Sequence, residues 1–379
     1  MNKSLVKKMV LYASLILSVT ACGGSGGSSA ATTTVPAVSI TYQPSVFASL
    51  PASSTPGSLI QGQDGNFYFA TTIPAAIYKM TPAGVVTPLY VFDTTVLDSL
   101  FSFIQGSDGN FYGTASDGGA NNFGGIFKVT PAGVGAVLYS FVGFTPPGQL
   151  IQGSDGNLYG ITGVSGSGAT PDGSVYKLTT TGNLTVLYAP TSYAEAVHAL
   201  VQGNDGNLYL TSNYLLKMTT AGVLTTLGSV PLANSPTTLL QATNGNFYSL
   251  ASGGPNNYGT IVQISPSGTE TVLYAFTEEG YCPADGVPGE VICLGPEPMQ
   301  LVQGSDGNFY GTALWGASTA NDLGTAGFIF QMTPTGVVTT LYAYDMNDFY
   351  ADSLITGSNG NLYGMSSLGG QVNIFTIGL

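Results

Sequence analysis

Seven copies of one ten-residue phrase constrain this chain more than any other feature. It reads LIQGQDGNFY from Leu59, FIQGSDGNFY from Phe103, LIQGSDGNLY from Leu150 and LVQGNDGNLY from Leu200. It continues as LLQATNGNFY from Leu239, LVQGSDGNFY from Leu301 and LITGSNGNLY from Leu354. Successive starts lie 44, 47, 50, 39, 62 and 53 residues apart. A period near 50 residues built from short β segments is the signature of propeller blades, each unable to bury its apolar face without a neighbour.

Each repeat reads as four strands. An apolar first strand such as Ser58-Leu59-Ile60-Gln61 runs into Asp-Gly-Asn, a tight turn of residues that tolerate positive φ. A second strand, Asn-Phe-Tyr-Gly-Thr in type, alternates with period two. A variable Gly/Asn loop leads to a third strand such as Gly125 to Thr130, and Thr-Pro-Ala-Gly at Thr81 to Gly84 or Thr130 to Gly133 turns the chain into an apolar fourth strand. The last repeat ends after its third strand, Gln371 to Ile377, while the segment from Val38 to Leu50 precedes repeat one and resembles a fourth strand. The expectation is an all-β, seven-bladed β-propeller of four-stranded antiparallel blades, its last blade closed by the N-terminal strand. A β-solenoid is the alternative, but it calls for complete terminal caps rather than complementary half-blades.

The GSDGNFYGT phrase, a third strand ending in IFK-V/M-TP and a fourth ending in LYSF resemble the GloVer-type tandem repeats of choice-of-anchor bacterial surface proteins, over nearly all of Leu59 to Leu379. More distantly, G-x-D-G-N-[FL]-Y is similar to the repeat of streptogramin-lyase-like and NHL propellers. The nearer resemblance implies a propeller and a surface location, and no particular chemistry.

The two ends and the composition fit that location. Residues 1–22 read as a targeting segment: Lys3, Lys7 and Lys8, the short apolar run MVLYASLILSV, then Val19-Thr20-Ala21-Cys22, which resembles a bacterial lipobox with Cys22 as lipid anchor. Gly23 after the cysteine favours the outer membrane under the sorting rule of enteric-type bacteria. Residues 23–37 form a Gly/Ser/Thr tether reaching on the order of 20 Å, and 38–379 form the propeller. The chain has 20 acidic residues and seven lysines with no arginine, a balance that disfavours nucleic acid and anionic lipid heads. Cys282 and Cys293 lie in the Pro/Gly-rich insertion 278–298 between blades five and six, where a disulfide would staple the loop, contributing about 3 kcal/mol.

Residues that recur in every blade read as structure. The tyrosines Tyr68, Tyr112, Tyr159, Tyr209, Tyr248, Tyr310 and Tyr363 suit blade-to-blade packing, and the Asp of Asp-Gly-Asn suits a turn bonded to its own backbone. Lys79, Lys128, Lys177 and Lys217 share one third-strand position, most simply as tolerated exposed side chains, otherwise as a positive arc for an anion. Binding is expected where the repeats differ, on loops between second and third strands: Asp117, Asn121, Asn122, Asp172, Asn256, Asn257, Trp315, Asn321 and Asp322. The acidic insertion offers a further partner-recognition element. His198, the single histidine, with Glu195 and Asp352 forms the weak catalytic set: in the streptogramin lyases a His base and a carboxylate-held metal perform an elimination, but here no second His is present. A membrane-anchored, monomeric, non-enzymatic scaffold for protein or glycan is therefore the preferred reading, with no cofactor and no metal; a metal-assisted lyase or lactonase, or a purely structural repeat, is its rival.

Overall fold

The computed structural model describes residues 45–379 except 50–55, 73, 94–96, 143–146, 163–172, 192–194, 213, 230–235, 252–257, 278–296, 315–324, 346–349 and 369–370. Among the described residues, 28 strands form seven four-stranded antiparallel sheets. Six sheets are consecutive, as in blade one: β2 (Pro56–Gln61), β3 (Phe67–Thr71), β4 (Ala76–Met80) and β5 (Val86–Val91). The seventh joins the chain's two ends. There β1 (Ser45–Ser49) pairs antiparallel with β28 (Gln371–Ile377), which follows β26 (Tyr350–Thr356) and β27 (Leu362–Leu368). The ring closes as the half-blades in the sequence require.

The repeated phrase builds the turn first. The glycine of each Asp-Gly-Asn sits at φ 76–86°, from Gly65 to Gly360, a left-handed conformation that a Cβ would strain. The aspartate organises the rest. Asp64 Oδ1 accepts from Asn66 N at 3.1 Å, while Oδ2 accepts from Asn66 Nδ2, Tyr68 Oη and Lys79 Nζ at 2.6, 2.8 and 3.0 Å. The same lysine–aspartate pair recurs at Lys128–Asp108, Lys177–Asp155 and Lys217–Asp205, 3.6, 2.9 and 2.7 Å apart, each ammonium 5.4–5.6 Å from the ring of its blade's tyrosine. These lysines are therefore committed to ion pairs within their own blades, beside the turns. Burial works to raise the Asp64 carboxyl, yet its hydrogen bonds outweigh that and hold it at about 2. In blade five both charges vanish together: Asn244 and Gln263 donate to Tyr248 Oη.

Two contacts then join neighbouring blades. Each recurring tyrosine is buried against the residue preceding the next blade's tyrosine. Ring centroids are 4.4 Å apart for Tyr68–Phe111, 4.2 Å for Tyr209–Phe247, 4.1 Å for Tyr248–Phe309 and 4.4 Å for Tyr363–Phe67. Where the partner is leucine, Tyr112, Tyr159 and Tyr310 share clusters with Leu158, Leu208 and Leu362. The second contact comes from the glutamine of Gln-Gly. Gln105, Gln152, Gln202, Gln241 and Gln303 accept through Oε1 from the turn N–H of the preceding blade, at Gln63, Ser107, Ser154, Asn204 and Thr243, and Gln61 accepts from Ser358 across the closure. Thr356 replaces glutamine in blade seven, and its hydroxyl donates to the Gln303 carbonyl instead.

One seam breaks the pattern. The first residue of each fourth strand faces the preceding blade: Leu184 clusters with blade two, Leu224 with blade three, Val338 with blade five, and Gly135 lies so close to Tyr90 that a Cβ would collide with the ring. In blade five that position is Glu270, paired with Ile264. At the register position where Tyr90, Tyr139, Tyr188, Tyr274 and Tyr342 stand in other blades, blade four carries Gly228. Glu270 Oε1 is buried with no hydrogen-bond partner among the described residues, and desolvation pushes its carboxyl from 4.5 to about 7. Because the folded value is raised, this group's contribution to stability is complete below pH 4.5 and is lost as pH rises through about 7. Thermal melts across that window are expected to show wild type losing stability relative to Glu270→Gln as pH rises; parallel curves for the two proteins would refute a buried, unpaired carboxyl at this seam.

Candidate functional site

The first strands line the central channel, and in six of them the register slips near the start. The slips fall between Pro56 and Leu59, Leu100 and Phe103, Pro147 and Leu150, Pro236 and Thr238, Pro298 and Gln300, and Ala351 and Ser353. Such β-bulges re-aim side chains and are common at barrel rims and beside functional sites. Gly57, Phe101, Gly148, Thr237, Met299 and Asp352, each two residues ahead of its blade's phrase, lie inside those strands, at or beside the bulges. Blade four is the exception: its first strand is only Ala199–Gln202, and His198 precedes it with its backbone N–H on Thr211 O at 2.8 Å.

At this end of the channel, blades two to six enclose a cavity of about 480 Å³. Phe101, Gln149, Thr162, His198, Thr238 and Gln300 supply its aromatic and polar groups, set among aliphatic side chains. The size and the mixture of apolar wall with a few polar groups fit a small-ligand site. Phe101 is 61 % exposed although its backbone is held, its carbonyl accepting from Ser58 Oγ. Gln149 Oε1 accepts from Leu200 N at 2.9 Å, and Gln300 Oε1 from Leu354 N, so the next blade's backbone fixes the orientation of both amides. Their Nε2 groups have no partner among the described residues, nor does the buried Oγ1 of Thr238. Among the described residues neither lysine nor arginine lines the cavity.

His198 is brought to this cavity; the other two members of the expected catalytic set are not seen to join it. Desolvation pushes its imidazole below the usual 6.5, favouring the neutral ring. Glu195 is exposed, and its Oε2 accepts from Thr191 N and Oγ1, both at 2.9 Å. Asp352 lies on β26, and blade seven contributes no described residue to the cavity lining. Among the described residues no three His, Cys, Asp or Glu side chains are grouped to hold a metal ion.

Of the loop residues expected to bind, three are described, all in blade two. Asp117 is exposed and accepts from Ser116 Oγ at 3.1 Å. Asn121 Nδ2 donates to Phe141 O at 3.1 Å, and Asn122 adopts φ 59°, so both help build the loop itself. Asp172, Asn256, Asn257, Trp315, Asn321 and Asp322 lie outside the described residues, as do Cys22, the tether, Cys282, Cys293 and residues 278–296 of the insertion. Sequence reasoning missed Gln149, Gln300, Thr162 and Thr238. The signal was available: the residue before each phrase is Ser58, Ser102, Gln149, Ala199, Thr238, Gln300 and Ser353, and only two of these seven are long amides.

Comparison with known proteins fits this picture. The Gloeobacter/Verrucomicrobia repeat family model matches residues 55–227, which correspond to blades one to four. No curated protein matches the chain in sequence. In fold it is similar to streptogramin B lyase, with TM-score 0.64 and 16% identity over 89% of this chain and 98% of that one. It is also similar to the WD40 β-propeller domain of Doa1, with TM-score 0.58 and 13% identity over 88% and 97% of the two chains. The extracellular domain of a one component system from B. thetaiotaomicron gives TM-score 0.58 and 11% identity over 89% of this chain and 40% of that one. At these identities the likeness shows the propeller fold alone.

His198 offers a direct check on the cavity. In a pH titration followed by NMR its ring is expected to protonate below 6.5. Because the folded value is depressed, its contribution to stability is present above pH 6.5 and is lost as pH falls through the folded value, a loss absent from His198→Asn. A midpoint at or above 6.5 would mean that the ring is solvated outside the cavity.

Proposed function

We propose that this protein is a non-enzymatic binding propeller of the bacterial cell envelope, which takes its ligand at the mouth of the central channel. Cys22 carries the lipid, residues 23–37 form the leash, and the outer membrane is the favoured location. The ligand is a protein or a glycan, and the blade-two loop that carries Asp117, Asn121 and Asn122 widens the surface it meets.

One observation carries the reading: amide groups aimed from two blades share a cavity with an exposed aromatic ring and a desolvated imidazole, and the repeat's own architecture requires none of the last three features. The Nε2 groups of Gln149 and Gln300 have no protein partner among the described residues, which leaves them to solvent or a ligand. The fold does not choose between binding and catalysis, since a lyase and an extracellular domain share it. The site's chemistry favours binding: among the described residues His198 is the one titratable side chain at the cavity wall, whereas a general base needs a second group to orient it or to hold the charge that develops.

Two experiments test this. A ligand-observed NMR fragment screen is expected to give hits on wild type that disappear in Thr238→Phe. That substitution fills the cavity and removes a hydroxyl with no protein partner. Hits that survive it, or no hits at all, would reject the channel mouth as the site. Metabolic labelling with radioactive palmitate in the native host is expected to mark the full chain and not its Cys22→Ala variant; equal or absent labelling of both would reject the lipid anchor.

A further inference from the structure

The chemistry of the channel mouth narrows the ligand class. Charge comes first. No lysine or arginine is among the described residues of the cavity wall, and the four lysines of the propeller are committed to Asp64, Asp108, Asp155 and Asp205 at the turns. The protein as a whole carries a formal charge of −13. An anionic ligand would approach against that field and find no cation to receive it. His198 does not alter this, because burial favours its neutral form. Nor do the described residues of the wall include a carboxylate to hold a cationic ligand.

Hydrogen-bonding valence comes second. Gln149 and Gln300 spend their carbonyl oxygens on the backbone of the next blade and keep their N–H groups. They stand three blades apart on a seven-blade ring and line well-separated parts of the wall. Neutral His198 adds one donor and one acceptor. A ligand rich in hydroxyl groups matches this mixed set. An extended peptide matches it poorly, because it needs a continuous run of backbone partners along one strand, and the groups here are side chains from separate blades.

Shape comes third. Phe101 projects from a bulge with 61 % of its surface exposed, while the protein uses only its backbone carbonyl. A flat apolar ring displayed beside amide donors suits a ligand with an apolar face and a polar edge. A pyranose is such a molecule: its C–H face covers an aromatic ring while its equatorial hydroxyls reach outward. The cavity of about 480 Å³ falls in the range of small-ligand sites.

We infer that the channel mouth binds a neutral saccharide, one sugar ring stacking on Phe101 and its hydroxyls meeting the side-chain amides of Gln149 and Gln300. The inference rests on the reading of the mouth as a ligand site and adds the ligand's chemical class.

The test uses the full chain with cellobiose, maltose and N,N′-diacetylchitobiose as neutral probes and digalacturonate as the anionic one, by saturation-transfer NMR and calorimetry. At least one neutral disaccharide is expected to bind and digalacturonate is not. Phe101→Ala is expected to weaken binding by about fivefold or more, the scale of one aromatic stacking contact, and Phe101→Trp to retain or tighten it. Because the Phe101 ring is exposed, both variants should melt with wild type, which separates lost binding from lost fold. Binding unchanged in Phe101→Ala, or binding of digalacturonate alone, would overturn the inference. Fragment hits blocked by Thr238→Phe without any sugar signal, or hits from a peptide library in their place, would overturn the saccharide and leave the channel-mouth reading standing. Silence from every class of probe would overturn both.

Discussion

The seam between blades is the interaction on which the structure depends. A blade is a twisted four-stranded sheet with apolar side chains on both faces, so it is stable only between two neighbours. The chain solves this once and repeats the solution. A tyrosine from one blade lies on Phe111, Leu158, Leu208, Phe247, Phe309, Leu362 or Phe67 of the next. The same tyrosine's hydroxyl is held by the turn of its own blade, by aspartate in five blades and by asparagine in two. Turn geometry, ion pair and interface packing thus meet on one side chain, and this is why the phrase tolerates so little change.

That economy decides where function can reside. Positions near the turns are occupied by the ring's own requirements, and even the lysines there are consumed locally. The opposite end of each blade is where the repeats differ most in sequence. The bulges in six of the first strands belong to that end. They fall near the start of the first strand, away from the glutamine or threonine at its end and from the tyrosine on the second strand. Phe101 illustrates the separation: its carbonyl serves the neighbouring blade while its ring faces solvent.

The sequence disclosed the architecture far better than the site, for physical reasons. Seven phrases and two complementary chain ends dictate a closed seven-bladed ring, and β1 pairs with β28 accordingly. The tyrosines and the turn aspartates were legible because a repeated demand leaves a repeated residue. The lysine–aspartate pairs could also have been read, since Lys217 accompanies Asp205 whereas Gln263 accompanies Asn244. The stitching by Gln61, Gln105 and their equivalents was hidden because a glutamine ending an apolar strand looks like an ordinary solvent-facing residue. The bulges were invisible, for they arise from how two strands register and not from a residue type. The seam at Glu270 and Gly228 was hidden likewise, because two unremarkable substitutions in different repeats acquire meaning only when the register shows which positions they occupy.

The central claim is a division of labour: repeated positions hold the ring, and the end where the repeats diverge binds. The most direct test is a crystal structure of the full propeller soaked with whichever neutral disaccharide binds in solution. Density for a sugar ring on Phe101, within reach of the Gln149 and Gln300 amides, is the result this account predicts. Density at the opposite end instead, among the lysine–aspartate turns or along the outer strands, would contradict it.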